Sequence, residues 1–254
     1  MNIFVLLKQT FDTEEHVRIE SGVIADDDVK FVINPYDEYA VEEAVQIKDD
    51  LGGKVTIVSI GPDRSEEALR TALAMGADEA VLIDPEDYQL DEHSYSKILH
   101  AYLKDQSVDL IIGGFFSVDQ GSGQVAIRLA HLLDIPHVSA ITELNVEEGK
   151  ATAKRDAEGD TETVQVALPA LFTAQQGLNE PRYPSLPGIM KAKKKPLQRL
   201  MLDELGIDEI SGKTVSTEIT SPPSRKAGEI LQGEVEEQVE QLIAKLKEDK
   251  VLNT

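Results

Sequence analysis

Residues 2–7 read NIFVLL, and this nearly continuous apolar run decides the fold class of the chain. A run without polar alternation is typical of a strand that is buried on both faces of a parallel sheet. Similar short runs recur at residues 54–60, 79–83 and 110–113, each followed by glycine, proline or aspartate. The repetition predicts a mostly parallel sheet.

Helical patterns separate these strands. After Pro35 the sequence YDEYAVEEAVQIKDDL places apolar residues at helical spacing and charged residues on the other faces. Comparable patterns surround Leu69 and Leu129. Alternating strands and helices favour a layered α/β domain, in which ligands bind beyond the carboxyl ends of the strands. We therefore expect a binding site on loops that follow strands.

In the middle of the chain, consecutive extended patterns replace the alternation of strands and helices. Extended patterns at residues 137–146, 151–155 and 162–168 are separated by turn-like sequences at 147–149 and 158–160. Short strands joined by such turns are typical of hairpins. They predict an antiparallel excursion at the edge of the sheet.

The C-terminal part of the chain has a lower apolar density. We predict a strand at residues 213–219, ended by Pro222 and Pro223, and an acidic amphipathic helix at residues 234–250. Residues from about 197 onward are too polar to form a core of their own. They are predicted to form an arm.

Composition narrows the class of protein. The 254 residues, of which 41% are hydrophobic, suffice for a sizeable core. The chain has no cysteine and only five scattered histidines, so neither disulfides nor a metal site is expected. It starts in a strand-like run without a basic leader, and no apolar stretch approaches the roughly 20 residues that span a bilayer. We expect a cytoplasmic protein without membrane insertion.

The net charge of −22 argues against a general nucleic-acid surface, because phosphates would be repelled. The five cationic residues between Lys191 and Arg199 locally reverse this sign. Such a reversal favours a specific protein partner.

One candidate site is the sequence GSGQ at residues 121–124, between a predicted strand and a predicted helix. Small residues let backbone N–H groups approach a phosphate, and a helix N-terminus carries about half a positive charge. The motif is neither a dinucleotide fingerprint nor a Walker loop. A purely structural role, with Asp119 as a helix cap, stays open.

A second candidate is residues 178–196, LNEPRYPSLPGIMKAKKKP, called here the proline-lysine segment. Its prolines and its Pro-Gly pair predict a stiff, irregular loop. Leu186 at its tip would insert into a pocket of a partner as an apolar anchor, and the lysines after it would attract an acidic surface around that pocket. The alternative is a surface helix at residues 185–194 with solvated lysines.

The proline-lysine segment resembles the signature of the beta subunit of electron transfer flavoproteins. Three further runs fit this family: INPYDEYAVEEAVQIKD from Ile33, RTALAMGAD from Arg70 and SVDQGSGQVAIRLA from Ser117. The resemblance covers residues 1 to about 200. It implies a three-layer, Rossmann-like domain of the adenine nucleotide alpha hydrolase-like kind at residues 1–196, and an arm at 197–254 that contacts an alpha subunit.

The resemblance also implies a nucleotide site. This chain would hold a structural AMP, while FAD would sit near the subunit interface, mainly on the alpha subunit and close to Tyr36. Serine at position 122 keeps the hydroxyl of the family's threonine, whereas Phe115 and Phe116 replace a polar pair. The implied cofactor-binding residues are Leu6, Asn34, Pro35, Tyr36, Asp37, Ile60, Gly114, Asp119, Ser122, Gly123 and Gln124.

The implied role is that of an electron carrier subunit in a heterodimer. Acyl-CoA dehydrogenases and other flavin dehydrogenases, as in fatty acid oxidation, would be the donors, and a quinone oxidoreductase the acceptor. The sequence shows no nucleophile with a base and no separable pair of carboxylates, so it predicts no catalytic residues and no enzyme. The implied partner-binding residues are Leu186, Pro187, Ile189, Met190, Lys191, Lys193 and Lys194.

Three alternatives stay open. The first is a bifurcating relative that carries a second FAD in place of AMP and takes electrons from NADH. The second is a nucleotide-hydrolysing or ATP-sensing α/β protein that acts alone, which would need a basic triphosphate ligand or a Mg²⁺ carboxylate beside the loop. The third is a pure interaction protein whose α/β domain binds no nucleotide.

Overall fold

The computed structural model describes residues 1–15, 18–20, 23–25, 29–86, 88–220 and 228–251. Its strands are β1 (Asn2–Leu6), β2 (Gln9–Phe11), β3 (Arg18–Glu20), β4 (Val23–Ala25), β5 (Phe31–Ile33), β6 (Lys54–Ile60), β7 (Glu79–Ile83), β8 (Leu110–Gly114), β9 (His137–Glu147), β10 (Lys150–Ala157), β11 (Asp160–Ala167), β12 (Ala170–Ala174) and β13 (Leu197–Leu200). Its α-helices are α1 (Pro35–Leu51), α2 (Glu66–Met75), α3 (Glu92–Leu103), α4 (Val125–Leu132), α5 (Leu186–Ala192) and α6 (Val235–Glu248).

The main sheet has nine strands in the order β11-β10-β9-β12-β8-β1-β6-β7-β13. The inner strand β1 pairs in parallel with β6 and β8, and Val5 lies opposite Ile57 on one side and Ile112 on the other. All four strands predicted from apolar runs belong to this sheet. The predicted α/β class with a mostly parallel sheet is therefore confirmed.

Helices cover both faces of the sheet. Ile3 and Val5 point into a core that includes residues of α1 and α2. Phe4 points the other way, into a second core with residues of α3 and α4. Because successive side chains of a strand alternate between faces, a continuous apolar run is what such a doubly covered strand requires.

The antiparallel excursion is also confirmed. β9, β10 and β11 pair in antiparallel fashion at one edge of the sheet, and their turns lie near Gly149 and Gly159. β12 then returns to the body of the sheet and pairs in parallel with β8 and β9.

The predicted strand at residues 213–219 is wrong, because the structure describes this whole range and has no strand there. The backbone N–H of Thr214 donates to the Asp91 carboxylate at 2.9 Å, and that of Lys213 donates to the same oxygen. The Asp91 carboxylate therefore binds the backbone N–H groups of the first two residues of this range. Pro222 and Pro223 lie outside the described residues.

The contacts of the chain divide into two units, Met1–Glu218 and Ile219–Thr254. The division comes later than the predicted change at residue 197, since β13 pairs with β7 and Leu202 and Ile210 are buried in the second core. The second unit contains α6, which confirms the predicted closing helix. No helix among the described residues is long and apolar enough to cross a membrane.

Candidate functional site

Residues 115–124, the glycine loop, connect β8 to α4. Gly121 and Gly123 have φ angles of 69° and 61°, in the left-handed region that favours glycine. The first hydrogen bond of α4 runs from Arg128 N–H to the Gln124 carbonyl at 2.9 Å. The amide groups of the first turn of α4 therefore have no intrahelical acceptor and suit an anion.

Asn34, which precedes α1, fixes the conformation of the glycine loop. Its buried side-chain amide donates to the Phe116 carbonyl at 2.9 Å and to the Asp37 carboxylate at 3.0 Å. Its oxygen accepts from the Val118 N–H at 3.1 Å. Because all these partners are protein groups, Asn34 holds the loop in shape.

Asp37, in the first turn of α1, joins three elements. Its carboxylate accepts from the backbone N–H of Lys8 at 2.7 Å and of Gly114 at 3.0 Å, in addition to Asn34. Burial outweighs these hydrogen bonds and raises the pKa of Asp37 to about 7. A Cβ at position 114 would lie 2.8 Å from the Cβ of Tyr36, so the close approach of β8 to α1 requires glycine there.

A cavity lies between the carboxyl ends of β1, β6 and β8, the glycine loop, and helices α3 and α4. Val58, Leu99 and Ala126 contribute apolar walls, and polar groups come from the glycine loop. Its position agrees with the rule for ligand sites in parallel sheets. Eight predicted cofactor-binding residues line it: Leu6, Asn34, Asp37, Ile60, Gly114, Ser122, Gly123 and Gln124.

The other three predicted residues are not among those that line the cavity. Pro35 is the first residue of α1. The Tyr36 ring packs against that of Phe116, with 4.4 Å between the ring centroids. Asp119 forms a salt bridge with Lys8, at 2.7 Å between Oδ2 and Nζ.

Sequence reasoning missed Lys8 and Tyr95, both of which line the cavity. Lys8 comes shortly after β1, so the rule that sites follow strands could have found it. Its ammonium group also donates to the Gln120 side chain at 3.2 Å. Tyr95 comes from α3, which the sequence analysis did not assign, and burial, followed by the charge of Asp119, raises its pKa.

The proline-lysine segment contains a helix. α5 starts after Ser185, whose hydroxyl accepts from the Gly188 N–H at 3.1 Å, and proline is tolerated in a first helical turn. The irregular loop expected at residues 186–192 is thus wrong, and the helical alternative holds. Leu186, Ile189 and Met190 are 73%, 44% and 66% exposed.

Two of the five cations in this region serve the fold. The Lys195 ammonium group donates to the Leu73 carbonyl at 2.9 Å, near the end of α2. Arg199 pairs with Glu66 at 2.6 Å. The other three cations, Lys191, Lys193 and Lys194, which the sequence predicts to bind a partner, are exposed.

Within the described residues, no group of three or more His, Cys, Asp or Glu side chains is arranged to hold a metal ion. The described polar groups of the cavity are hydroxyls, amides, the Lys8 ammonium group and the hydrogen-bonded Asp37. This set can bind and orient a polar ligand.

The family described as "Electron transfer flavoprotein domain" matches residues 21–205. Electron transfer flavoprotein subunit beta of Bacillus subtilis is 55% identical to the chain over 253 residues, which cover 98% of each protein. The subunit of the same name from Syntrophomonas wolfei is 40% identical over 93% of this chain and 92% of its own. That of Homo sapiens is 36% identical over 98% of this chain and 97% of its own. The chain therefore belongs to the electron transfer flavoprotein family and is a member of its beta-subunit branch.

Proposed function

We propose that this chain pairs with an electron transfer flavoprotein alpha subunit, binds a structural AMP in its cavity and docks flavin dehydrogenases through α5. Acyl-CoA dehydrogenases are the proposed donors and a quinone oxidoreductase the proposed acceptor. The cytoplasm is the proposed location. The observation that carries the proposal is the cavity at the N-terminus of α4, where eight residues singled out by the family resemblance meet.

The residues of the cavity fit a nucleotide monophosphate. Ser122 and the amide groups at the start of α4 offer donors to a phosphate, and Gly123 leaves its backbone accessible. Lys8 balances the Asp119 carboxylate, which would otherwise repel an anion. The apolar wall around Leu99 suits a base.

Electron transfer itself needs a flavin. FAD, held mainly by the alpha subunit, supplies the redox chemistry. This chain contributes shape and position: Tyr36 stands in a fixed orientation against Phe116, and Asp37 locks the start of α1 to β8. The beta subunit is then a docking and scaffold subunit without catalytic residues of its own.

α5 presents the proposed docking surface. Leu186 and Met190 are 73% and 66% exposed, although both are apolar, and lysines follow them. An exposed apolar anchor with a charged rim is typical of a protein interface. Redox encounters use small interfaces, so one anchor carries much of the binding.

The test of docking is the substitution Leu186→Ala in the purified heterodimer. We expect a higher KM of an acyl-CoA dehydrogenase for the heterodimer, with nucleotide content unchanged. Leu51→Ala is the matched control, since Leu51 is also an exposed leucine, at 55%. An unchanged KM for Leu186→Ala would contradict the assignment of the anchor.

A further inference from the structure

Residues 179–182, which lead towards α5, are bound to α1 by three acidic side chains outside the nucleotide cavity. They are Glu42, Glu43 and Asp49, of which Asp49 accepts from the Arg182 guanidinium at 3.3 Å. Glu42 accepts two hydrogen bonds from the Arg182 guanidinium, at 2.8 and 3.0 Å, and one from the Arg182 backbone N–H at 3.1 Å. Glu43 accepts from the Asn179 side chain at 2.9 Å. The chain is therefore held through both side chain and backbone just before the docking helix.

The Glu42 carboxylate is held in one orientation by burial and by its hydrogen bonds. Glu42 is only 3% exposed, and Gln46 donates to its Oε1 at 2.8 Å. A two-pronged bond between guanidinium and carboxylate fixes orientation as well as distance. Burial opposes ionisation of Glu42, but the hydrogen bonds from Arg182 and Gln46 prevail, and its pKa lies below the usual value. An unpaired carboxylate at this depth would be costly, so the pair persists in the folded protein.

α5 is held at its other end as well. A Cβ on Gly188 would lie 2.6 Å from the Ala74 carbonyl oxygen, so α5 lies directly on α2. Arg70 of α2 donates to the Ala192 and Lys195 carbonyls, both at 2.9 Å. Arg182 is bound to α1 before α5 begins, and Arg70 binds carbonyls at the end of α5 and just after it. The exposed apolar side chains of α5 are therefore held in a fixed position.

We propose that Glu42 is a positioning residue for dehydrogenase docking: by holding Arg182 it fixes α5, and with it the Leu186 anchor, before the partner arrives. The inference rests on the proposed function, in which Leu186 docks the dehydrogenase. Fixing a docking segment in its bound geometry removes the ordering cost from association. Loss of Glu42 therefore weakens docking without touching the nucleotide cavity.

The experiment uses the purified heterodimer and the variants Glu42→Gln, Leu186→Ala and their combination. We expect Glu42→Gln to raise the KM of an acyl-CoA dehydrogenase for the heterodimer about fivefold or more, with kcat and nucleotide content unchanged. Amide hydrogen exchange in residues 178–192 should become faster. In the Leu186→Ala background the same substitution should have little further effect, because both changes act through one anchor.

Glu162→Gln is the matched control. Glu162 pairs with Arg155 at 2.8 Å in the antiparallel excursion, and its loss should leave KM unchanged. Arg182→Lys keeps the positive charge but loses the two-pronged bond, so it should also raise KM and carries the test if Glu42→Gln does not fold.

Two failures are distinguishable. If Leu186→Ala raises KM but Glu42→Gln and Arg182→Lys do not, the positioning role is overturned and the docking proposal stands. If none of them changes KM, the docking proposal fails as well.

Discussion

The buried carboxylate of Asp37 accepts a hydrogen bond from the backbone N–H of Gly114 at 3.0 Å, which joins the first turn of α1 to the end of the central strand β8. The same carboxylate binds the N–H of Lys8 after β1. One side chain thus sets the spacing of the elements that form the proposed nucleotide site.

Gly114→Ala should disturb this junction. The added methyl group would meet Tyr36 and Asp37, and such overpacking costs about 1–3 kcal/mol. We expect lower nucleotide content and a lower free energy of unfolding, measured by urea denaturation. Gly228→Ala is the control, since a Cβ there meets no atom within 4 Å and should change neither quantity.

Asp37 should make stability depend on pH. Its pKa is about 7 in the folded protein against 3.8 as the reference value, so between these values the folded state keeps a proton that the unfolded state has lost. This contribution therefore weakens stability as pH rises from about 4 to 7. The Asp37→Asn variant should have a lower free energy of unfolding, because an amide has fewer acceptors for the three donors. Its free energy of unfolding should also depend less on pH than that of the original protein. If the curves of unfolding free energy against pH for the original protein and for Asp37→Asn were parallel from pH 5 to 8, this prediction would be contradicted.

Lys8→Met should weaken AMP binding, because it leaves the Asp119 carboxylate uncompensated near the proposed phosphate position. The free energy of AMP binding should weaken by about 1–3 kcal/mol, which is the typical cost of a polar group that is left without its partner. Calorimetric titration of the nucleotide-free heterodimer with AMP measures it. Lys54→Met removes a comparable ion pair with Glu79 and should leave AMP affinity unchanged.

The exposed lysines of the proline-lysine segment should govern the rate of docking. Replacing Lys191, Lys193 and Lys194 by glutamine should slow association with the dehydrogenase about tenfold at low salt and reduce its salt dependence, because electrostatic steering is lost. Stopped-flow mixing at several ionic strengths measures both. The same replacements at the exposed residues Lys97, Lys104 and Lys150 are the control. If the two sets of replacements slowed association equally, the net charge of the protein alone would explain the effect, and the prediction would be contradicted.

The core strands could be predicted because each is a dense apolar run, as in residues 2–7, and burial on both faces leaves few other ways to place such a run. β13 could not, because LQRL alternates weakly and is specified by its pairing with β7. The helix in the proline-lysine segment was obscured by Pro187 and Gly188, which are tolerated because they lie in its first turn and against Ala74.

The glycine loop was recognisable because Gly121 and Gly123 follow a strand and precede a helix. The roles of Asn34 and Asp37 could not be read in the same way, since their partners Gly114 and Phe116 are about 80 residues away in the sequence. Tyr95 reaches the cavity only through the packing of α3. Such long-range contacts depend on the tertiary structure and leave no local pattern.

The most direct test of the central claim is to purify the heterodimer of this chain with its alpha subunit, denature it, and identify and count the released nucleotides by chromatography and mass. We expect one FAD and one AMP per heterodimer, with AMP lost from Gly114→Ala. Two FAD and no AMP would contradict the account and indicate a bifurcating carrier, and the absence of a stable complex or of any nucleotide would contradict the proposed role altogether.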